Sequence, residues 1–371
     1  MPEINNPVNL LELTPVQLKE FVKLIGEPAS SAERILKYIY REYAAGFTEM
    51  SDLDSSLQQK LAAGADLGEL APLEELVSAD AQTRKVLFRL NDFNTIESTI
   101  MFFKNPGSGR ERRTVCISSQ VGCAVGCRFC ATGQQGFVRN LSTGEIIGQI
   151  LFFLRRFRDQ MPAPVKGKNR AWLTNVVFMG MGEPLANYDN VRQAIAIINS
   201  PKGMGMGFHQ VTLSTSGLVP QIRRIGAENL QFQLAVSLHA ADDVLRDRLV
   251  PVNRKYPLSE LMPACREYAA KTGRNVFIEY ALFENINDSV GEAEKLMHLL
   301  DGLPCSINLI TGNPIASSEF QPSSREVALI FQKKLIAGGI RTMLRVSRGT
   351  DIAAGCGQLR SRWLGQRGGD I

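Results

Sequence analysis

Four of the seven cysteines fall within fifteen residues, at Cys116, Cys123, Cys127 and Cys130. The last three follow a C-x3-C-x2-C spacing, which can turn three sulfurs toward one centre from a single loop. Thiolates select soft metals, so zinc and an iron–sulfur cluster are the chemistries this spacing serves. Three close thiolates suit a [4Fe–4S] cluster with one iron left open to a further ligand. A structural zinc takes four ligands, usually as two separated pairs. With Cys116 included the stretch also offers four sulfurs, so spacing alone leaves zinc open. Cys265 and Cys305 have no motif around them and read as inert buried thiols.

Other reactive or ligand-binding residues gather just past the ends of strand-like runs. They are Gly180-Met181-Gly182-Glu183-Pro184, Ser214-Thr215-Ser216-Gly217, Ser237-Leu238-His239 and Gly312-Asn313-Pro314. Gly180 and Gly182 permit close backbone approach, and Glu183 can accept hydrogen bonds from an ammonium group. Ser214, Ser237, His239 and Asn313 add donors and acceptors for a polar ligand. Each cluster alone reads as a turn or cap, and His239 alone as a satisfied buried histidine. Together with the cysteine loop they line up at one rim, and the C-terminal rim of a β/α barrel is where active sites are built. Neither a Walker A motif nor a Rossmann fingerprint is present.

The elements that must carry these residues alternate after Thr114. Strands are predicted at residues 115–119, 175–179, 210–214, 232–237, 276–282, 306–310 and 342–346, with helical stretches between them. One helix opens with the capping box Ser142-x-x-Glu145, and another runs over 324–337. Six or so β/α units imply a parallel sheet, either doubly wound or a partial barrel. Upstream, Thr14-Pro15 opens a helix that stops at Gly26. Ser30-x-x-Glu33 reads as a capping box opening a second helix that ends near Gly46, and a third spans 54–64. Residues 85–90 and 96–103 read as a pair of strands.

A chain of 371 residues with 44% hydrophobic and 21% charged residues is an ordinary globular protein, long enough for a large domain and a small one. No apolar run reaches membrane-spanning length, and an odd cysteine count without a leader-like segment points to a reducing cytoplasm. The net charge of +5 hides an asymmetry: residues 1–75 hold 13 acidic and 6 basic side chains, leaving the excess positive charge to the remainder. That distribution suits a polyanionic partner. Phosphate-contact candidates are Arg34, Lys37 and Arg41 on the second helix, then Arg110, Arg112, Arg113, Arg155, Arg156, Lys166 and Lys168. Each also reads as a solvent-facing charge.

At these motifs the chain resembles the radical S-adenosylmethionine (SAM) superfamily and, more narrowly, the RlmN family of dual-specificity RNA adenine-C2 methyltransferases. The matching segments are residues 116–140 with Gln134-Gln135-Gly136-Phe137, residues 179–185, 211–217, 237–239, 308–314 and 348–359. The resemblance implies an α/β fold: a partial (β/α)6 TIM-like barrel of the radical SAM type with a small helical N-terminal domain. Its divisions would be an RNA-contacting helical part at 1–75, a β-hairpin linker carrying Glu97 at 76–113, the barrel at 114–347 and a C-terminal segment at 348–371. It implies a [4Fe–4S] cluster on Cys123, Cys127 and Cys130. SAM contacts would come from Gly182, Glu183, Ser214, Ser237, Leu238, His239 and Asn313. Cys356 would carry a methyl group received from one SAM, and a radical derived from a second SAM would activate that methyl for addition to C2. Glu97 would accept the C2 proton, and Cys116 would release the product by forming a transient disulfide with Cys356. The implied partners are 23S rRNA before ribosome assembly is complete, tRNA, and a reducing system for cluster and disulfide. Two other readings compete. One is a non-catalytic RNA-binding protein with zinc on Cys116, Cys123, Cys127 and Cys130. The other is the related C8-adenine methyltransferase, from which Gly182–Leu185 and Gln134–Phe137 set this chain apart.

Overall fold

The β/α alternation becomes one continuous ten-stranded sheet in the computed structural model. The model describes residues 7–104, 111–161, 172–228, 230–311, 319–345, 349–352, 355 and 357–367. The strands are β1 (Ala71–Val77), β2 (Thr83–Arg89), β3 (Thr95–Lys104), β4 (Glu111–Cys116), β5 (Asn175–Phe178), β6 (Val211–Thr215), β7 (Gln233–Ser237), β8 (Val276–Leu282), β9 (Cys305–Thr311) and β10 (Thr342–Arg345). Each lies beside its sequence neighbours. From β4 to β10 all pairings are parallel, whereas β1 to β4 pair antiparallel. A doubly wound sheet reverses its strand order at a switch point, and this sheet has no reversal. Right-handed crossovers in unbroken order put every helix on the same face, so the sheet curls into a partial barrel of six β/α units.

Strand alternation sorts side chains between the two faces. Val115, Val176, Leu213, Leu234, Ile278 and Ile307 are fully or almost fully buried beneath the helices. The opposite face carries Thr114, Cys116, Thr212 and Arg345, which line a cavity of about 750 Å³ in the lumen. Expected strand ends shift by a residue or two. The largest change is at β4, which stops at Cys116 instead of Ser119. Beyond it Gln120–Gly122 pairs with Phe137–Asn140 as a separate two-stranded ribbon.

Helix starts follow local chemistry where no distant group competes. α1 (Pro15–Leu24) begins at Thr14 with a capping box to Gln17, and α3 (Ser55–Gly64) is capped by Asp54. α2 (Ser31–Tyr40) departs from expectation: Ser30 is helical and its side chain caps nothing. Glu33 pairs instead with Lys202 at 2.6 Å and Lys19 at 3.7 Å. The helix stops at Tyr40, well before Gly46, and Tyr43 adopts a left-handed backbone. Six units of helix follow: α4 (Thr143–Arg156), α5 (Tyr188–Asn199), α6 (Val219–Ala227), the pair α7 (Asp243–Leu249) and α8 (Leu258–Thr272), α9 (Val290–Leu300) and α10 (Arg325–Ala337). α11 (Gln358–Arg367) closes the described chain. One contiguous apolar core joins Leu18 and Ile35 of the N-terminal helices to Ile147 of α4 and Leu335 of α10.

The capping box on α4 forms as predicted: Glu145 N–H donates to Ser142 Oγ at 3.2 Å, and Ser142 N–H donates to Glu145 Oε2 at 2.9 Å. Ser142→Ala is expected to cost about 1 kcal/mol. Urea denaturation should show a lower midpoint at an unchanged slope; an unchanged midpoint would mean the cap contributes nothing here.

Candidate active site

The three spaced cysteines occupy the loop between the arms of the short ribbon. Its neck admits no side chain: a Cβ on Gly122, at φ +74°, would lie 1.9 Å from the Gly136 carbonyl oxygen. Cys123 N–H donates to that same oxygen at 2.8 Å. Within the loop Cys130 N–H donates to the Cys127 carbonyl at 3.1 Å, and Gly126 supplies a left-handed residue at φ +70°. Val125, Cys127 and Phe129 pack on a second apolar cluster formed by Ala240, Leu249, Val250, Ala281, Phe283 and Phe320. The loop is thereby fastened over the C-terminal ends of β7 and β8.

Burial pushes the Cys123 thiol up to about 12 and raises Cys127 and Cys130 as well. Neighbouring sulfurs and the Glu183 carboxylate add to the rise at Cys123 and Cys127. Three thiols that oppose one another's ionisation become thiolates around a cationic centre, which is the donor set an iron–sulfur cluster requires. Among the described residues no three His, Cys, Asp or Glu side chains converge on a single-ion site. Sulfurs bound to separate irons of a cluster stand farther apart than the ligands of one ion. Cys116 belongs elsewhere: its charged neighbours are Lys85, Glu97 and Arg345, and a four-cysteine zinc site loses its fourth ligand.

Glu183 adjoins this loop at the end of β5. Its Oε2 accepts from Ser216 N–H at 2.7 Å and Ser216 Oγ–H at 2.8 Å, while Oε1 accepts from Leu185 N–H at 3.0 Å. Burial raises the carboxyl pKa and these bonds oppose the rise. The glycines beside it answer a steric need within the protein. A Cβ on Gly180 would sit 2.6 Å from the Ile117 carbonyl oxygen, and one on Gly182 would sit 2.5 Å from Gln120 Cβ. Ser214 and Ser237 bring their hydroxyls to 3.4 Å on adjacent strands. Leu238 buries its side chain and presents backbone, its N–H donating to the Glu279 carbonyl at 3.0 Å. His239 is buried with a left-handed backbone, φ +62°. Its Nδ1 accepts from Ala281 N–H at 2.9 Å, and its ring meets Phe129 edge-on at 4.8 Å. Burial, aided by Arg246, lowers its pKa to about 3, so the imidazole is neutral with Nε2 protonated.

Cys116 opens into the luminal cavity with Lys85, Glu97, Met179, Arg345 and Gly355. Removal from bulk water pushes its thiol up to about 11. Glu97 lies on β3 and forms a buried ion pair with Lys85, Nζ to Oε2 2.6 Å, with the two side chains 1% and 4% exposed. The far end of the chain converges on this pair. Lys85 Nζ donates to the Gly355 carbonyl at 2.6 Å, and Gly357 N–H donates to Glu97 Oε2 at 2.9 Å. Arg360 N–H donates to Glu97 Oε1 and its guanidinium to Thr95 Oγ1 and Gln135 Oε1. Gly357, at φ +75°, also abuts the cysteine loop, where a Cβ would meet Thr132 N at 2.6 Å. Cys356 and Asn313 lie outside the described residues, as do Arg110, Lys166 and Lys168.

Several proposed phosphate contacts are already engaged. Arg41 donates to the carbonyls of Pro201 and Met204, Arg34 donates to the Asp52 carbonyl, and Lys37 pairs with Glu42. Arg113 is held by Glu111 and the Trp172 carbonyl, and Arg155 is half-buried. Arg156 is exposed, 3.8 Å from Glu75, and Arg112 stacks over Phe103 with 4.1 Å to the ring centre. Sequence reasoning missed Lys85, Arg360 and the fully buried Arg246. Arg246 donates to the carbonyls of Ser216 at 2.6 Å, Leu238 at 3.2 Å and Ser237 at 3.3 Å, and to Asn253 Oδ1 at 2.7 Å. It ties the ends of β6 and β7 together. The acidic surroundings Asp243 and Asp247 lie close in sequence, yet nothing local marks Arg246 as internal.

Comparison with known proteins agrees with this geometry. The model of the radical SAM superfamily matches residues 117–300, and the model of the ribosomal RNA large subunit methyltransferase N-terminal domain matches residues 8–67. A probable dual-specificity RNA methyltransferase RlmN from Moorella thermoacetica is 44% identical over 353 residues, covering 95% of this chain and 97% of the relative. The dual-specificity RNA methyltransferase RlmN of Syntrophobacter fumaroxidans is 42% identical over 353 residues, covering 95% and 98%. The crystal structure of a radical SAM methyltransferase from Sphaerobacter thermophilus superposes with a TM-score of 0.87 at 44% identity, over 95% of this chain and 99% of that one.

Removing the Arg246 fork would take the donor from three buried acceptors and one part-buried one. Arg246→Met is expected to lower stability by at least about 3 kcal/mol, and Arg246→Lys to recover only part because an ammonium lacks the planar fork. Urea denaturation checks this; a loss below about 1 kcal/mol would show that the rim does not depend on it.

Proposed function

The chain belongs to the RlmN family of dual-specificity RNA methyltransferases within the radical SAM superfamily, and from that membership we propose that it methylates C2 of an adenine in 23S rRNA and in tRNA through a methyl carried on Cys356. Its cofactors are a [4Fe–4S] cluster and SAM. Together they supply one-electron cleavage of SAM, which an electron-poor carbon between two ring nitrogens requires because it will not attack a sulfonium methyl. Cys123, Cys127 and Cys130 would hold the cluster. Gly182, Glu183, Ser214, Ser237, Leu238, His239 and Asn313 would bind SAM beside it.

The observation that carries this reading is the convergence on the luminal cavity. Gly355, next to Cys356, lines the same cavity as Cys116, although the two cysteines are far apart in sequence. A disulfide requires their Cα atoms within about 7 Å, and the docking of residues 355 and 357 on the Lys85–Glu97 pair favours such an approach. Glu97 accepts hydrogen bonds at both carboxylate oxygens beside the cavity, and there it would take the C2 proton. Cys116 would attack the sulfur of Cys356, breaking its bond to the product carbon and leaving a disulfide for a thiol reductant to open. The target base must leave its stack to enter the lumen, at a cost of a few kcal/mol. Among the described residues no helix is long and apolar enough to cross a membrane. A cytoplasmic setting, where reductants are at hand, fits this chemistry.

Holoenzyme incubated with SAM, a reductant and either rRNA or tRNA is expected to yield 2-methyladenosine by nucleoside mass spectrometry. Cys356→Ala should still cleave SAM while methylation of either RNA is lost. Methylation surviving in that variant, or 8-methyladenosine as product, would overturn the reading.

A further inference from the structure

Lys85 has no place in the chemistry described so far, yet it is the most deeply buried ammonium in the site, its side chain 1% exposed. It sits on β2 opposite Thr99, one strand removed from β4 and Cys116, and lines the cavity with Glu97, Cys116 and Gly355. Two of its contacts reach different parts of the protein: Glu97 Oε2 at 2.6 Å and the Gly355 carbonyl at 2.6 Å. Glu97 in turn takes the Gly357 N–H at 2.9 Å. The ion pair therefore grips the chain immediately before and immediately after position 356, through an acceptor on one side and a donor on the other.

We infer that Lys85 is a positioning residue for methyl transfer: with Glu97 it forms a charged staple that brackets Cys356 and delivers its thiol to Cys116. This rests on the carrier role of Cys356 proposed above. A lysine suits the task. Its ammonium is a compact donor that can serve a carboxylate and a carbonyl at once, and it offers nothing to accept. Burial keeps water from competing for either bond, so both are stronger than they would be at the surface. Further tethers run to the β1–β2 hairpin, from Ala79 N–H to Asp351 Oδ2 at 2.8 Å and from Arg362 to Glu74 at 2.6 Å. Gln135 Nε2 also donates to the Gly357 carbonyl at 3.1 Å; it holds the chain on one side of position 356, whereas the Lys85–Glu97 pair holds it on both.

The test is the rate at which Cys116 and Cys356 pair in the anaerobic holoenzyme. One equivalent of diamide removes two electrons and two protons from the thiols, and peptide mapping measures the disulfide. Lys85→Met is expected to slow formation at least tenfold while the visible absorption of the cluster, and hence the folded rim, persists. A rate within twofold of wild type would overturn the role. If Lys85→Met leaves Glu97 unpaired and the chain unfolds, the double variant Lys85→Met/Glu97→Gln, which carries no orphaned charge, is read instead. It should pair its cysteines as slowly, and a wild-type rate there overturns the role equally. Failure of the underlying reading looks different. A wild-type enzyme that forms the disulfide at full rate but never methylates C2 would refute the carrier chemistry and leave the staple standing.

Discussion

A lysine and a glutamate removed from water 2.6 Å apart impose the constraint on which the rest of this site depends. Desolvating two charges costs several kcal/mol for each ion, and attraction repays it only when the remaining hydrogen-bonding capacity is met. Here the C-terminal segment meets it. Gly355, Gly357 and Arg360 bring one carbonyl and two amides to the pair. Losing either partner would leave a buried charge uncompensated, at about 3–5 kcal/mol. Folding of the β2–β3 hairpin and docking of the chain's far end are therefore coupled by one electrostatic requirement. The same requirement docks Gly355 and Gly357, on either side of position 356, against the luminal pair.

A second buried cation plays the corresponding part on the other side of the rim. Arg246 satisfies carbonyls at the ends of β6 and β7, and so fixes the strand ends that carry Ser214 and Ser237 and the turn that carries His239. Burial lowers its pKa to about 10, which leaves it charged at neutral pH beside Cys127. The rim thus has two halves with different electrostatics. Around the cysteine loop, buried thiols lie beside the Glu183 carboxylate; around Cys116 the charged neighbours are Lys85, Glu97 and Arg345. The singly wound sheet brings both halves to one lumen because no strand departs from sequence order.

What the sequence made legible was largely local. Thr14, Asp54 and Ser142 cap helices whose first turns lie within three residues of them. The C-x3-C-x2-C spacing marks its loop, and the glycine- and serine-rich clusters mark the strand ends, because each answers to its immediate neighbours. Ser30-x-x-Glu33 carried the same local signature and failed, because a turn begun at Pro28 gives Ser30 itself a helical backbone, and Glu33 pairs with Lys202 instead. Arg34 and Arg41 fall on the helix face that periodicity assigns, but their guanidiniums are engaged there by the Asp52 carbonyl and by the carbonyls of Pro201 and Met204. Lys85 looked like any charged residue in an alternating strand. Its burial depends on Gly355, 270 residues away, and no window of sequence contains both.

The cysteines would divide the labour: Cys123, Cys127 and Cys130 would hold the cluster, while Cys116 and Cys356 would exchange a product for a disulfide. Mapping cysteine pairs by mass spectrometry after a single turnover, quenched before any reductant acts, tests this division most directly. One Cys116–Cys356 disulfide is expected for every adenine methylated. Methylated adenine with both cysteines still present as thiols would contradict it.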